Sequence, residues 1–276
     1  MRVLVAGGLG FLGSHFCDYL IQKGHTVICV DNLKTGSIGN GSHLIGNLNY
    51  KLYNWDVNDI IKIECDAIVH MASPTAPGDF RMYPELTLRS NSVGTLNLLM
   101  LASDMQVPLL FLSSIRVKDS DDNGYIAGKQ AGEILCMDQG AKIARCGNIY
   151  GKRMNAHDSR VIPTFVRKAK SNLPLVLFND GDQKDSFLYV DDALEALYRF
   201  LVSDETGVIE IGGEVSTIAN LANMIVEKTN STSQIMFQQS QMVYENRFLP
   251  DLNRAFSDLN WSPKISLSDG LDRFIS

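Results

Sequence analysis

A tyrosine and a lysine four residues apart, Tyr125 and Lys129, follow shortly after the pair Ser113-Ser114. On a helix this spacing places both side chains on one face, so the ammonium can approach the phenol oxygen and favour the phenolate. A free tyrosine has a pKa of about 10, and a nearby lysine would draw it toward the working range of a general base. Ser114 would offer its hydroxyl to the same substrate oxygen. The chemistry implied is removal of a proton from a substrate oxygen by a general base. Taken alone, a tyrosine and a lysine at this spacing are also what an ordinary solvated helix face carries, so the weight rests on what lies upstream.

Upstream, residues 1–31 run through an apolar stretch, a glycine-rich turn, an amphipathic stretch, a second apolar stretch and an acid. Val3, Leu4 and Val5 read as a buried strand, and Gly7, Gly10 and Gly13 fall where a helix should open. Gly7 allows the tight turn, Gly10 lets the backbone approach a pyrophosphate, and Gly13 lets the helix pack against the strand. Asp31 ends the second strand, Thr26 to Val30, where a carboxylate accepts from both ribose hydroxyls and repels a 2′-phosphate. The cofactor expected is NAD rather than NADP.

The chain has 276 residues, 45% hydrophobic and 20% charged, with a net charge of −6. This is enough to bury a substantial core, and an acidic balance leaves no footprint for nucleic acid. There is no apolar run long enough for a membrane span and no basic leader, so a cytoplasmic protein with no membrane partner is expected. The five cysteines, Cys17, Cys29, Cys65, Cys136 and Cys146, are scattered and never form a C-x-x-C pair. They read as buried thiols, with no disulfide framework and no metal site.

Strand-like segments recur at 50–53, 67–70 and 109–112, with helical patterns at 87–103 and 128–137. This alternation predicts an α/β fold, a Rossmann-type doubly wound parallel sheet with its sites at the carboxyl ends of the strands. Near Asn148 the alternation loosens into helices at 162–169, 192–201 and 218–228 and short strands at 175–177 and 208–211. The expectation is a cofactor-binding domain over 1–150, with chain crossings to a smaller C-terminal α/β substrate lobe over 151–276. No linker separates the two, so they should share a cleft.

With these residues in place, the chain resembles the extended short-chain dehydrogenase/reductase proteins that act on nucleotide sugars. The likeness rests on GGLGFLG at 7–13, Asp31 with Asn32, Asp56, His70-Met-Ala-Ser, Asn91 with Gly94-Thr95, Ser114, Tyr125 with Lys129, Arg145-Cys-Gly-Asn-Ile-Tyr-Gly, Phe187-Leu-Tyr-Val-Asp-Asp and Arg247. The resemblance implies that Tyr125 removes a proton from a sugar hydroxyl, usually at carbon 4, while hydride passes to NAD. It implies cofactor contacts at Phe11, Leu12, Asn32, Val57, Met71 and Ala72, with Lys129 on the nicotinamide ribose and Asp56 at the adenine end. It also implies substrate contacts at Ser73, Ser114, Asn148, Arg160 and Arg247, and a homodimer formed by helices within 93–105 and 126–137.

The closest phrasing is that of UDP-glucuronate decarboxylases, in HMASPTAP at 70–77, YIAGKQAGEILC at 125–136 and GKRMNAHDSRVIPTFV at 151–166. Where that subfamily carries a catalytic glutamate and a substrate-holding arginine, this chain has Arg116 and Asp185, and Lys118 replaces a tyrosine. If the two exchanged positions face each other, an ion pair of reversed polarity could join them. Ser114 and Tyr125 are separated by only eleven residues, which predicts an open cleft. The expected activity is that of a 4-epimerase or dehydratase. Decarboxylation and release of a 4-keto sugar are the alternatives, and a silent NAD-binding regulatory protein is the rival from another class. His70 reads as structural or cofactor-lining, Asp191-Asp192 as a helix N-terminus, and Arg145 and Arg153 as either phosphate ligands or pins of the turn between lobes.

Overall fold

The computed structural model describes residues 1–119, 123–155, 157–239 and 248–276. The N-terminal half builds β1 (Arg2–Ala6), α1 (Phe11–Gln22), β2 (Thr26–Val30), β3 (Tyr50–Tyr53), β4 (Ala67–His70), α2 (Pro77–Met82), α3 (Pro84–Asn91), α4 (Val93–Met105), β5 (Leu109–Ser114), α5 (Gly124–Asp138) and β6 (Lys142–Cys146). The remainder supplies β7 (Asn148–Tyr150), α6 (Val161–Lys170), β8 (Leu175–Phe178), β9 (Lys184–Tyr189), α7 (Val190–Val202), β10 (Gly207–Ile211), β11 (Glu214–Thr217), α8 (Ile218–Lys228), β12 (Ile235–Gln238), α9 (Asn253–Leu259) and α10 (Leu267–Ile275).

Seven parallel strands form the central sheet in the order β10-β6-β5-β4-β1-β2-β3. The order reverses between β1 and β4, and a crevice opens beyond the carboxyl ends of strands at such a point. Successive residues of β1 feed opposite faces: Val3 and Val5 join one buried cluster, Leu4 and Ala6 the other. That is why the strand is apolar throughout rather than alternating. The short strand read at 208–211 belongs to this large sheet, as β10 beside β6. Smaller sheets of β11-β9-β7 and β12-β8 carry the rest of the later chain. All five cysteines are free and buried.

The helical pattern at 87–103 is two helices, not one. The Asn91 amide donates to the Thr87 carbonyl at 2.8 Å, and the Ser92 hydroxyl donates to the Leu88 carbonyl at 2.8 Å. Such back-bonding side chains bend a helix, and α3 ends at Asn91 before α4 restarts at Val93. No described helix is long and apolar enough to cross a membrane.

Candidate active site and cofactor cleft

The turn after β1 is shaped by its glycines. Gly7 has φ +80°, and a Cβ there would lie 2.7 Å from the Ala72 backbone. At Gly10 a Cβ would meet only the Gly7 carbonyl, at 3.3 Å, so the outer side of the turn is open to a ligand. Phe11, Leu12 and Gly13 form the first turn of α1, whose N–H groups face outward with the helix dipole behind them. Asp31, at the end of β2, is 7% exposed and accepts from the Leu9 N–H at 3.0 Å and the Leu33 N–H at 2.8 Å. Burial pushes its carboxyl above the ordinary value, against those two bonds.

A single cleft brings together Gly7, Gly10, Asp31, Asn32, Val57, Met71, Ala72 and Ser73. Asp56 stands at its edge through Asn32, whose amide donates to the Asp56 carboxylate at 2.8 Å. Asp56 in turn accepts from the backbone and side chain of Asn58, each at 2.8 Å. Ser73 accepts from the Asn91 amide at 2.8 Å. A bare glycine turn at a helix N-terminus, an acid at the second strand and an apolar wall fit a dinucleotide.

Tyr125 enters the site because Asn123 caps α5, its carboxamide oxygen accepting from the Tyr125 and Ile126 N–H groups at 3.1 Å each. The phenol therefore sits in the first turn of the helix, facing the end of β5 where Ser114 lies. Burial raises the Tyr125 pKa, whereas the Ser114 hydroxyl bonded to it and the charges of Arg160 and Arg116 act in the opposite direction. The Phe80 ring stacks on it, with centroids 5.3 Å apart and an interplanar angle of 14°. Lys129 is 2% exposed, and its ammonium donates to the Leu112 carbonyl at 2.5 Å and lies 6.0 Å from the centre of the Tyr125 ring. The lysine and tyrosine do share a helix face, but in this structure the ammonium holds the strand rather than the phenol oxygen. Burial lowers the Lys129 pKa to about 7.

Beneath these groups runs an ion network. Glu133, one turn beyond Lys129, is bonded by the Arg145 guanidinium at 2.9 and 2.6 Å and accepts from the Ser113 hydroxyl at 2.5 Å. Arg145 also lies 3.6 Å from Glu210, which pairs with Lys118 at 2.5 Å and accepts from the Asp251 N–H at 2.8 Å. Of its two readings, Arg145 thus takes the structural one. Arg153 pairs with Asp18 at 2.7 Å and pins the turn after β7 to α1. Asp192 accepts from Lys264 and Ile265 at the start of α7, and His70 bonds the Ser90 carbonyl at 3.1 Å.

Arg116 pairs with Asp119 at 3.2 Å, while Asp185 is buried on β9, opposite Ser216 of β11. The Arg116 N–H donates to the Ser114 hydroxyl at 3.2 Å. Arg160 is bonded by two nitrogens to Asp158 at 3.0 and 2.6 Å and lies 5.8 Å from the Phe11 ring centre. Asn148 opens β7 in register with Phe187. Arg247 and residues 120–122 of the segment between Ser114 and Tyr125 lie outside the described residues.

Sequence reading missed Phe80, Glu133, Glu210 and Trp55. Glu133 carried a usable signal, since its four-residue spacing from Lys129 puts both on one helix face. Phe80 and Glu210 had none, because their partners are remote in sequence.

A model described as the NAD dependent epimerase/dehydratase family matches residues 3–212. UDP-glucuronic acid decarboxylase 1 of Arabidopsis thaliana is 35% identical over 302 residues, covering 100% of this chain and 69% of the relative. The protein of the same name from Danio rerio is 33% identical over 299 residues, covering 99% and 72%. Among solved structures, UDP-glucose 4-epimerase of Thermotoga maritima matches with a TM-score of 0.87 at 25% identity, over 100% of this chain and 97% of that one. UDP-glucuronic acid 4-epimerase of Bacillus cereus shares the fold, with a TM-score of 0.85 at 24% identity over 100% and 98% of the two chains. The dinucleotide cleft, the Ser114, Tyr125 and Lys129 cluster and these matches together show that the chain belongs to the NAD dependent epimerase/dehydratase family, with NAD as its cofactor.

Proposed function

We propose that the protein oxidises carbon 4 of a nucleotide sugar and completes a 4-epimerase or dehydratase type of reaction. The observation that carries this reading is the convergence of Ser114, Tyr125 and Lys129 at the carboxyl end of β5. NAD, when bound, supplies the hydride acceptor. Gly7, Gly10, Gly13, Phe11, Leu12, Asp31, Asn32, Asp56, Val57, Met71 and Ala72 would hold it. Ser114 holds the sugar hydroxyl and Tyr125 takes its proton. Lys129 would turn from the Leu112 carbonyl toward the nicotinamide ribose and steady the phenolate. Ser73, Asn148, Arg160 and Arg247 are the substrate contacts. Residues 1–150 serve the cofactor and 151–276 the substrate, apart from the strand that crosses back.

Decarboxylation is the second reading, supported by relatives named UDP-glucuronic acid decarboxylase at 33–35% identity. Against it, the second residue after Ser114 is Arg116, a guanidinium that stays protonated and cannot serve as a base.

The protein is a cytoplasmic homodimer in this reading. Support for the dimer comes from the apolar side chains that α4 and α5 leave exposed, Leu96, Met100, Ile134 and Met137.

The test is a panel of UDP-, GDP-, dTDP- and CDP-sugars, with reduced nicotinamide followed by absorbance and products by mass. An unchanged mass means epimerisation, loss of water dehydration, and loss of carbon dioxide decarboxylation. Loss of two hydrogens means net oxidation. Silence across the panel with NAD bound would favour a regulatory protein.

A further inference from the structure

Trp55 lines the cofactor cleft together with Asp31, Asn32 and Val57. It follows β3 and is 41% exposed, a large share for an indole in a molecule whose other tryptophan, Trp261, is 2% exposed. Its ring is backed by Tyr53, with centroids 5.1 Å apart and planes tilted by 32°. One face of the indole is thus supported by the protein, and the side chain still borders the cleft.

The cleft leaves one direction for a base attached to a ribose held at Asp31. The diphosphate must leave that ribose toward Gly10 and the N-terminus of α1, where the bare glycine turn lies. The base therefore leaves on the opposite side, toward β3. Asn32, Trp55 and Val57 line that side, and the Asn32–Asp56 bond of 2.8 Å forms a polar rim next to it. A flat purine has a polar edge and two π-faces. The rim suits the edge, and the exposed indole suits a face.

We propose that Trp55 stacks on the adenine of NAD and contributes directly to cofactor affinity, a role that rests on the cofactor reading of this cleft. Base–aromatic stacking depends on the π-face rather than on hydrogen-bond pattern, so Trp55 supplies affinity while Asp31 discriminates at the ribose. Contact with the base also quenches or shifts the indole emission. Trp261 stays shielded in the core and provides a constant background.

The experiment titrates the full-length protein, freed of co-purified nucleotide, with NAD, AMP and nicotinamide mononucleotide. Heat and tryptophan emission are read in parallel for wild type, Trp55→Phe and Trp55→Ala. The wild type should lose emission with NAD and with AMP but not with nicotinamide mononucleotide. Trp55→Ala should lose the optical response and bind NAD about tenfold more weakly. Trp55→Phe should lose the optical response yet recover most of the affinity, a rescue that a purely structural role for the ring would not tie to the adenine-containing ligands. NAD binding to wild type with an unchanged Kd in Trp55→Ala, or quenching that survives in that variant, overturns the inference while leaving the cofactor reading intact. Absence of any NAD binding to wild type overturns both.

Discussion

The Lys129 ammonium reaches from α5 to the carbonyl of Leu112 on β5, at 2.5 Å, two residues before Ser114. One bond thus ties the helix that carries the phenol to the strand that carries the serine. Lys129 couples the positions of Ser114 and Tyr125 before any ligand arrives, and its lowered pKa makes the bond sensitive to pH near neutrality.

Replacing Tyr125 by Phe should leave NAD affinity nearly unchanged, because only the phenol hydroxyl is removed and the ring stays. Reduction of bound NAD by the correct sugar nucleotide should slow by about 10²–10⁴-fold. Single-turnover absorbance measures this, and turnover at the wild-type rate would refute the assigned role.

Gly10→Ala separates cofactor binding from folding. The added Cβ would meet only the Gly7 carbonyl, at 3.3 Å, a tight contact with one backbone atom, so the melting temperature should fall modestly and the fold persist. It would stand on the open side of the turn, and NAD affinity measured by calorimetry should fall by about tenfold or more. Equal affinity would show that the pyrophosphate does not approach there.

Glu133→Gln strips the charge from the buried partner of Arg145 and weakens the bond to Ser113. Leaving the guanidinium without its anion should cost about 3–5 kcal/mol. Urea denaturation reads this directly. A loss below about 1 kcal/mol would mean that Glu210 takes over the charge.

The stability of the protein should fall as pH drops through the mildly acidic range. Burial, and then the nearby Lys129 charge, lower the His70 pKa to about 3 from the ordinary 6.5. Between those values the unfolded chain binds a proton that the folded chain refuses, so acid favours unfolding, by up to about 1.4 kcal/mol per pH unit. Above 6.5 both states are neutral at this residue and its contribution is constant. In His70→Asn the slope of unfolding free energy against pH should be shallower by as much as one proton. Identical slopes in denaturation series at several pH values would exclude His70 as the source.

A charge placed on the exposed apolar face of α4 and α5 should separate the proposed dimer. Met100→Glu and Ile134→Lys act on side chains that are 55% and 68% exposed within the single chain, so neither should unfold it. Sedimentation should shift from twice the chain mass to the chain mass. A wild type that already sediments as a monomer would remove the dimer from the proposal.

Features built from near neighbours were legible in the residues alone. The turn through Gly7, Gly10 and Gly13, the acid at Asp31 and the shared helix face of Tyr125 and Lys129 each depend on short spacings governed by local backbone geometry. The apolar strands were legible for a related reason, since a sheet buried on both faces demands continuous hydrophobic runs. The break at Ser92 was not, because side chains of Asn91 and Ser92 that bond back to the preceding turn outweigh the helical pattern around them.

Packing of the elements settles which distant charges meet. Arg145 could have bound phosphate, yet it is clamped by Glu133 and flanked by Glu210, which also takes Lys118. An ion pair depends on distance in space, which residue types and spacing do not specify once the chain between them crosses from one element to another. Short-range spacing therefore set the cofactor unit and the residue types proposed for catalysis, while packing of the sheet and helices decided which charges remain at the cleft and which are spent in the network beneath it.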